Sequence, residues 1–243
     1  MSEYPVVVVG GSGHIGSGVV EVLAEDGWQV VAVDILPPRQ KTDSVVYQTV
    51  NAASEDELIS LCDDIAQMYG GIAGLVNCGG LLRQGTVVDM EINDWDLVME
   101  VNVKTVFLAI RAFAELLKAS SPATVVNISS VSAHVASTGG FAYSTSKGAI
   151  LSLTSSLAGE FAAFGVRVVS VCPGWVDGGF TEQVLAGAES PDQVLREAEQ
   201  SHLLGELVSK RDIGYAVSFL ISKRARMITG SHLYVDGGFH VKR

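Results

Sequence analysis

Short apolar runs alternate along the chain with longer segments in which apolar residues recur at helical spacing. The runs read as strands near 5–9, 29–34, 45–50, 73–77, 123–128, 166–171 and 232–235. Pro5-Val-Val-Val-Val9 is continuous rather than alternating, as expected of a strand covered on both faces of a sheet. The periodic segments predict helices over about 14–26, 55–69, 94–119, 142–164 and 211–222. Strand–helix alternation of this kind predicts an α/β fold: a doubly wound parallel sheet of about seven strands, right-handed crossovers, and helices on both faces. The stretch from Phe180 to Leu207 breaks the rhythm, because Gly187, Pro191 and Gly205 divide it into two short helices. A long excursion near a site often serves as a lid, so residues 178–207 are expected to form a substrate loop. No Pro/Ser-rich linker interrupts the alternation, and residues 1–243 read as a single domain.

Composition narrows the class. The chain is 48% hydrophobic and 18% charged, enough apolar material to cover a sheet twice. Its longest apolar strand runs are too short to span a bilayer, and no basic segment precedes the first strand. Cys62, Cys78 and Cys172 are widely separated and lack metal-type spacing, which favours reduced thiols in the cytoplasm. His232 and His240 have no ligand companions, and no catalytic metal is expected. A formal net charge of −11 argues against nucleic acid as a partner. Segments 94–119 and 142–164 carry apolar or small residues on more than one face, as in Leu151-Ser-Leu-Thr-Ser-Ser-Leu-Ala158, and the second face suggests a subunit contact.

Chemistry enters with Gly10-Gly-Ser-Gly-His-Ile-Gly16, which joins the first strand to the first helix. Gly10, Gly13 and Gly16 are spaced for a dinucleotide-binding turn: a tight bend, backbone access to a pyrophosphate, and close packing of helix on sheet. Ser12, His14 and Ile15 belong to the same turn, Ile15 through its backbone. Asp34, followed by Ile35, ends the second strand and is placed to accept hydrogen bonds from adenosine ribose hydroxyls. Its charge would repel the extra phosphate of NADP, so NAD is the expected coenzyme. Tyr143 and Lys147 are four residues apart, on one face of a predicted helix. A phenol with an ordinary pKa of about 10 is a poor base. A neighbouring ammonium favours the phenolate, so Lys147 is expected to draw Tyr143 toward a useful proton-transfer range. Ser130 offers a hydroxyl for a substrate oxygen, with Ser129 and Ser132 as alternative partners.

These features together resemble the short-chain dehydrogenase/reductase family over essentially the whole chain. Asn77-Cys-Gly-Gly80 is similar to the family's Asn-Asn-Ala-Gly element, and Val235-Asp-Gly-Gly238 to its C-terminal signature. The resemblance implies a Rossmann fold, a catalytic set of Ser130, Tyr143, Lys147 and Asn102, and commonly a homotetramer. It implies that Asn102 holds a water linking Lys147 to solvent, although an Asn there can also simply bend a helix or bond its backbone. It places Asn51 and Ala52 near the adenine, where Asn51 can equally begin the cap of the next helix. Asn77 and Gly79 would line the coenzyme with Cys78 packing between them, and Pro173, Gly174 and Val176 would flank the nicotinamide. Arg83, His134, Trp175 and Phe180, with Leu81 and Leu82, fall on segments that border the substrate in relatives. Arg83 suits an anionic group, or is solvated; His134 suits a pocket wall.

The chain departs from the family at Val9 and Gly178, where threonines are usual, and at Cys78 and Gly79. No departure removes a proton-transfer group. The implied reaction is hydride transfer between NAD and a secondary alcohol or ketone, with Tyr143 as general acid/base. The competing readings are a non-catalytic NAD-sensing regulator or scaffold, and a ketone reductase of acyl-thioester or lipid substrates.

Overall fold

The structure, a computed structural model, describes residues 3–135 and 139–242. Its strands are β1 (Val6–Val9), β2 (Val30–Asp34), β3 (Val45–Thr49), β4 (Gly74–Asn77), β5 (Thr124–Ile128), β6 (Arg167–Pro173) and β7 (His232–Val235). They form one sheet in the order β3-β2-β1-β4-β5-β6-β7, and every neighbouring pair is parallel. β1, β4 and β5 lie at the centre and are buried at every position, so their sequences show no polar face.

The two faces divide the strand residues alternately. Val7 and Val9 pack with α2 (Glu55–Tyr69), α4 (Thr105–Ala119) and α5 (Phe141–Phe161). Val6 and Val8 pack on the other side with α1 (His14–Glu25) and α8 (Lys210–Ile221). α2 begins at Ser54, whose hydroxyl accepts the Glu57 N–H, and three acidic residues follow in its first turn. α8 begins with a reciprocal capping box between Ser209 and Asp212.

From β1 the chain runs outward to β2 and β3, then returns to the opposite side of β1 to lay down β4. Connections diverge at that point and leave a crevice beyond the carboxyl ends of the strands. The helix expected over 94–119 starts two residues earlier and carries a π-helical turn within it. α3 (Ile92–Met99) passes through a π-helical turn at Glu100–Lys104 before α4 begins. The excursion after β6 folds as two short helices, α6 (Phe180–Ala186) and α7 (Pro191–Ser201). Among the described residues, no helix is long and apolar enough to cross a membrane.

Candidate active site

A cleft of about 930 Å³ occupies the crevice. Its floor at one end is the turn after β1. Gly10 has φ +78°, and a Cβ there would stand 2.5 Å from the Gly79 nitrogen, so the β1 and β4 turns meet only because this residue has no side chain. Asp34 tightens the same corner: its Oδ2 accepts the Ser12 N–H at 3.0 Å and its Oδ1 the Leu36 N–H at 3.1 Å. A carboxylate has about four lone-pair sites, so both oxygens can take further donors from the cleft. In contrast to α2, α1 starts at Gly13 with no side-chain cap and no acidic residue in its first turn. Its first amides are left for an anion in the cleft.

Of the residues expected here, Gly10, Gly13, His14, Ile15, Asp34, Ile35, Asn51, Ala52, Cys78 and Gly79 line the cleft, as do Pro173, Gly174 and Val176. Ser12, Gly16 and Asn77 do not. The Ser12 amide faces Asp34, and any side chain on Gly16 would run into the Gly10 carbonyl. Asn77 is buried and donates to Asn127 Oδ1 at 2.8 Å, and Asn127 in turn donates to Thr154 on α5. Asn51 also acts as a turn former, its side-chain oxygen accepting the Ala53 N–H.

Tyr143 and Lys147 stand one turn apart on α5, at the other end of the cleft. Lys147 is buried. Its ammonium donates to the Ile128 carbonyl at 2.9 Å and lies 5.6 Å from the Tyr143 ring centre. Ser129 donates its hydroxyl to the Lys147 carbonyl at 2.9 Å, which fastens α5 to the end of β5 and occupies that hydroxyl. Ser130 and Ser132 both line the cleft, and of the two it is Ser130 that bears on the Tyr143 phenol and holds its pKa down.

Burial pushes the Tyr143 phenol up to about 12; the hydrogen bond with Ser130 opposes the rise and the Cys172 thiol adds to it. Burial brings Lys147 down to about 8, against the pull of Cys78 and Cys172. The direction at Tyr143 is opposite to the one expected from its spacing to Lys147. Desolvation is the largest influence on both groups, and it disfavours the charged form of each. Burial also pushes Cys78 up to about 12 and Cys172 to about 11, so both remain unreactive thiols at neutral pH.

Asn102 sits in the π-helical turn, fully buried, and does not line the cleft. Its Oδ1 accepts the Leu81 N–H at 2.7 Å, and its Nδ2 donates to the Leu81 carbonyl and to Ser146 Oγ, each at 2.9 Å. Ser146 donates onward to the Tyr143 carbonyl at 2.6 Å. Both amide hydrogens are therefore spent on tying the loop after β4 to the back of α5. The sequence alone does not single out Ser146, although its position three residues after Tyr143 puts it on the neighbouring helix face. Nor does it single out His202. That ring accepts the Trp175 N–H at Nε2 (3.2 Å), donates from Nδ1 to the Ala198 carbonyl (2.8 Å), and supports the turn after β6 from beneath.

Trp175 and Phe180 line the cleft, and Phe180 meets the Tyr143 ring edge-on at 5.9 Å. Gly178 and Gly179, with φ of +89° and +58°, carry the chain from β6 into α6. His14 donates from Nε2 to the Asp177 carbonyl at 2.5 Å, and its ring fills the space a side chain at Gly178 would need. Gly178, where the family resemblance implies a threonine, is thus paired with the histidine of the first turn. Thr181 is buried and lines the cleft. Arg83 and His134 do not line it. The Arg83 guanidinium turns to Asp94 at 3.3 Å and to the Leu82 carbonyl, and the His134 ring lies against Tyr234 at 5.9 Å.

Comparison with known proteins agrees with this geometry. A family model described as enoyl-(acyl carrier protein) reductase matches residues 11–240. A cyclopentanol dehydrogenase of Comamonas testosteroni is 31% identical, the alignment covering 98% of each chain. A 3-oxoacyl-[acyl-carrier-protein] reductase of Staphylococcus aureus is 30% identical over 97% of each chain. Among solved structures, the ligand-free aldohexose dehydrogenase of Thermoplasma acidophilum superposes with a TM-score of 0.93 at 28% identity, covering 99% of this chain and 95% of that one.

Proposed function

The chain belongs to the short-chain dehydrogenase/reductase family, whose members use nicotinamide coenzymes, and we propose that it interconverts a secondary alcohol and a ketone with NAD(H). The observation that carries this reading is that Ser130 and Tyr143 both line the cleft wall, with the Lys147 ammonium buried behind the phenol. A bound nicotinamide coenzyme supplies the hydride acceptor or donor. The amides of His14 and Ile15, at the uncapped start of α1, would hold its phosphates. Lys147 would hold the nicotinamide ribose, and Pro173, Gly174 and Val176 would flank the ring.

Tyr143 takes the hydroxyl proton of the alcohol, and Ser130 holds the same oxygen and stabilises charge on it. Lys147 favours the phenolate. In the coenzyme-free chain desolvation outweighs that help, so base strength develops in the loaded cleft. Asn102 acts as a positioning residue, fixing Leu81 and, through Ser146, the first turn of α5. A non-catalytic NAD sensor has no use for this set, which favours turnover. The relatives include alcohol dehydrogenases and an acyl-carrier-protein ketoreductase at nearly equal identity, so the choice of an alcohol over an acyl-thioester rests on the chemistry of the cleft wall. We further propose one domain of residues 1–243, with 178–207 as its substrate loop, and a cytoplasmic homotetramer. Exposed Phe107 on α4 and Phe164 just beyond α5 support the subunit contact.

Preference for NAD rests on Asp34. Its carboxylate is fixed by two backbone amides at the adenosine end of the cleft, where a 2′-phosphate would meet a negative charge. Arg39 lines the same end and is the one observation favouring NADP. Steady-state kinetics with both coenzymes decide between them. Catalytic efficiency is expected to be at least about tenfold higher with NAD, and Asp34→Ala to narrow the gap. Equal efficiency in the wild-type chain overturns the NAD assignment.

A further inference from the structure

Building on the dehydrogenase reading, we infer that the substrate is an uncharged secondary alcohol or ketone whose reacting carbon is flanked by hydrocarbon. Separate elements bring apolar side chains to the cleft, alongside the uncharged Gln84, Ser132 and Thr181. Leu82 follows β4, Val135 follows β5, Phe180 and Val184 project from α6, and Phe239 comes from the turn after β7; all five line the cleft. Gln183 donates to the Leu82 carbonyl at 3.4 Å, joining α6 to the opposite wall. The edge of Phe180 on the Tyr143 ring completes an apolar collar around the phenol.

Charge is absent from that collar. Among the described residues lining the cleft, the Lys/Arg side chains are Arg39 and Lys147. Arg39 lies beyond Asp34 at the far end, and Lys147 is buried below Tyr143 with its ammonium on the Ile128 carbonyl. The guanidinium on the neighbouring loop, Arg83, is turned to Asp94. A carboxylate or phosphate on the substrate would therefore be desolvated among Leu82, Val135 and Val184 with no cation to pair with. Polyol hydroxyls placed against Leu82, Val135, Phe180, Val184 or Phe239 would each lose a hydrogen bond to water. Alkyl arms on either side of one carbinol lose nothing by entering, and gain from leaving water.

The test is initial-rate kinetics of the intact chain with saturating NAD and three substrate sets: cycloalkanols and 2-alkanols of graded length, 3-hydroxybutyrate, and sorbitol. The first set is expected to exceed the other two in kcat/KM by at least about 100-fold, with a rise for each added methylene. Val184→Arg, on the half-buried face of a surface helix, is expected to raise kcat/KM for 3-hydroxybutyrate and lower it for the alkanols. Faster turnover of 3-hydroxybutyrate or sorbitol overturns the substrate class and leaves the dehydrogenase reading standing. No turnover of any set, with NADH still bound, removes the dehydrogenase reading and this inference with it.

Discussion

Tyr143→Phe is expected to lower turnover by about 10²–10⁴-fold while leaving coenzyme affinity unchanged. The change deletes one oxygen. The ring keeps its edge contact with Phe180, and Lys147 keeps its bond to the Ile128 carbonyl, so the cleft retains its shape. What is lost is the group that exchanges a proton with the substrate oxygen. Ser130 cannot replace it, because a serine hydroxyl has no accessible anion near neutral pH and its oxygen already accepts the Ser132 N–H at 3.1 Å. Initial rates with NAD, together with coenzyme titration by fluorescence, separate the two effects. Turnover within tenfold of wild type at unchanged affinity would remove Tyr143 from the acid/base role.

Lys147→Met is expected to abolish turnover and to change the pH dependence of stability in a defined direction. The Lys147 pKa is lowered by burial from 10.5 in water to about 8. Below pH 8 the amine is charged in both folded and unfolded chains, and the cost of burying that charge is fully present. Between pH 8 and 10.5 the folded chain gives up the proton while the unfolded chain keeps it, so wild-type stability gains over that window. The gain from this one group is on the order of 3 kcal/mol. Raised thiol pKa values at Cys62, Cys78 and Cys172 act in the opposite direction above pH 9, which is why the comparison has to be variant against wild type. The stability of Lys147→Met relative to wild type is expected to be greatest near pH 7 and to decline as pH rises through 8 toward 10.5. A constant difference across that range, measured by denaturant unfolding without coenzyme, contradicts a buried ammonium at this position. The cost is retained because the site needs the charge once the cleft is loaded.

Much of this architecture is legible in the sequence, and the reasons are local. Val6–Val9 and Val30–Asp34 are apolar almost throughout because helices cover both faces of the sheet. Gly10 and Asp34 advertise their turn because only glycine permits the approach to Gly79 and a carboxylate ends β2. Tyr143 and Lys147 share a face because helical geometry puts residues four apart one above the other. The features that escape are those decided by distant partners. The π-helical turn at Glu100–Lys104 leaves apolar spacing intact on both sides, and the bonds of Asn102 go to Leu81 and Ser146, 21 and 44 residues away. Arg83 lies on a loop beside the cleft, yet Asp94 decides which way its guanidinium turns. His202 and Trp175 are joined only once α7 folds back under the β6 turn. The sign of the Tyr143 shift depends on how much of the phenol is taken out of water, which spacing alone does not report.

In the proposed reaction a hydride passes from a carbinol carbon beside Tyr143 to the nicotinamide ring. Incubating the chain with NAD and a cycloalkanol deuterated at the carbinol carbon, followed by mass analysis of the coenzyme, tests it directly. The prediction is NADH carrying one deuterium per turnover, with at least about 100-fold less formed by Tyr143→Phe over the same interval. Ketone formed with unlabelled coenzyme, or label transfer undiminished in Tyr143→Phe, would contradict it.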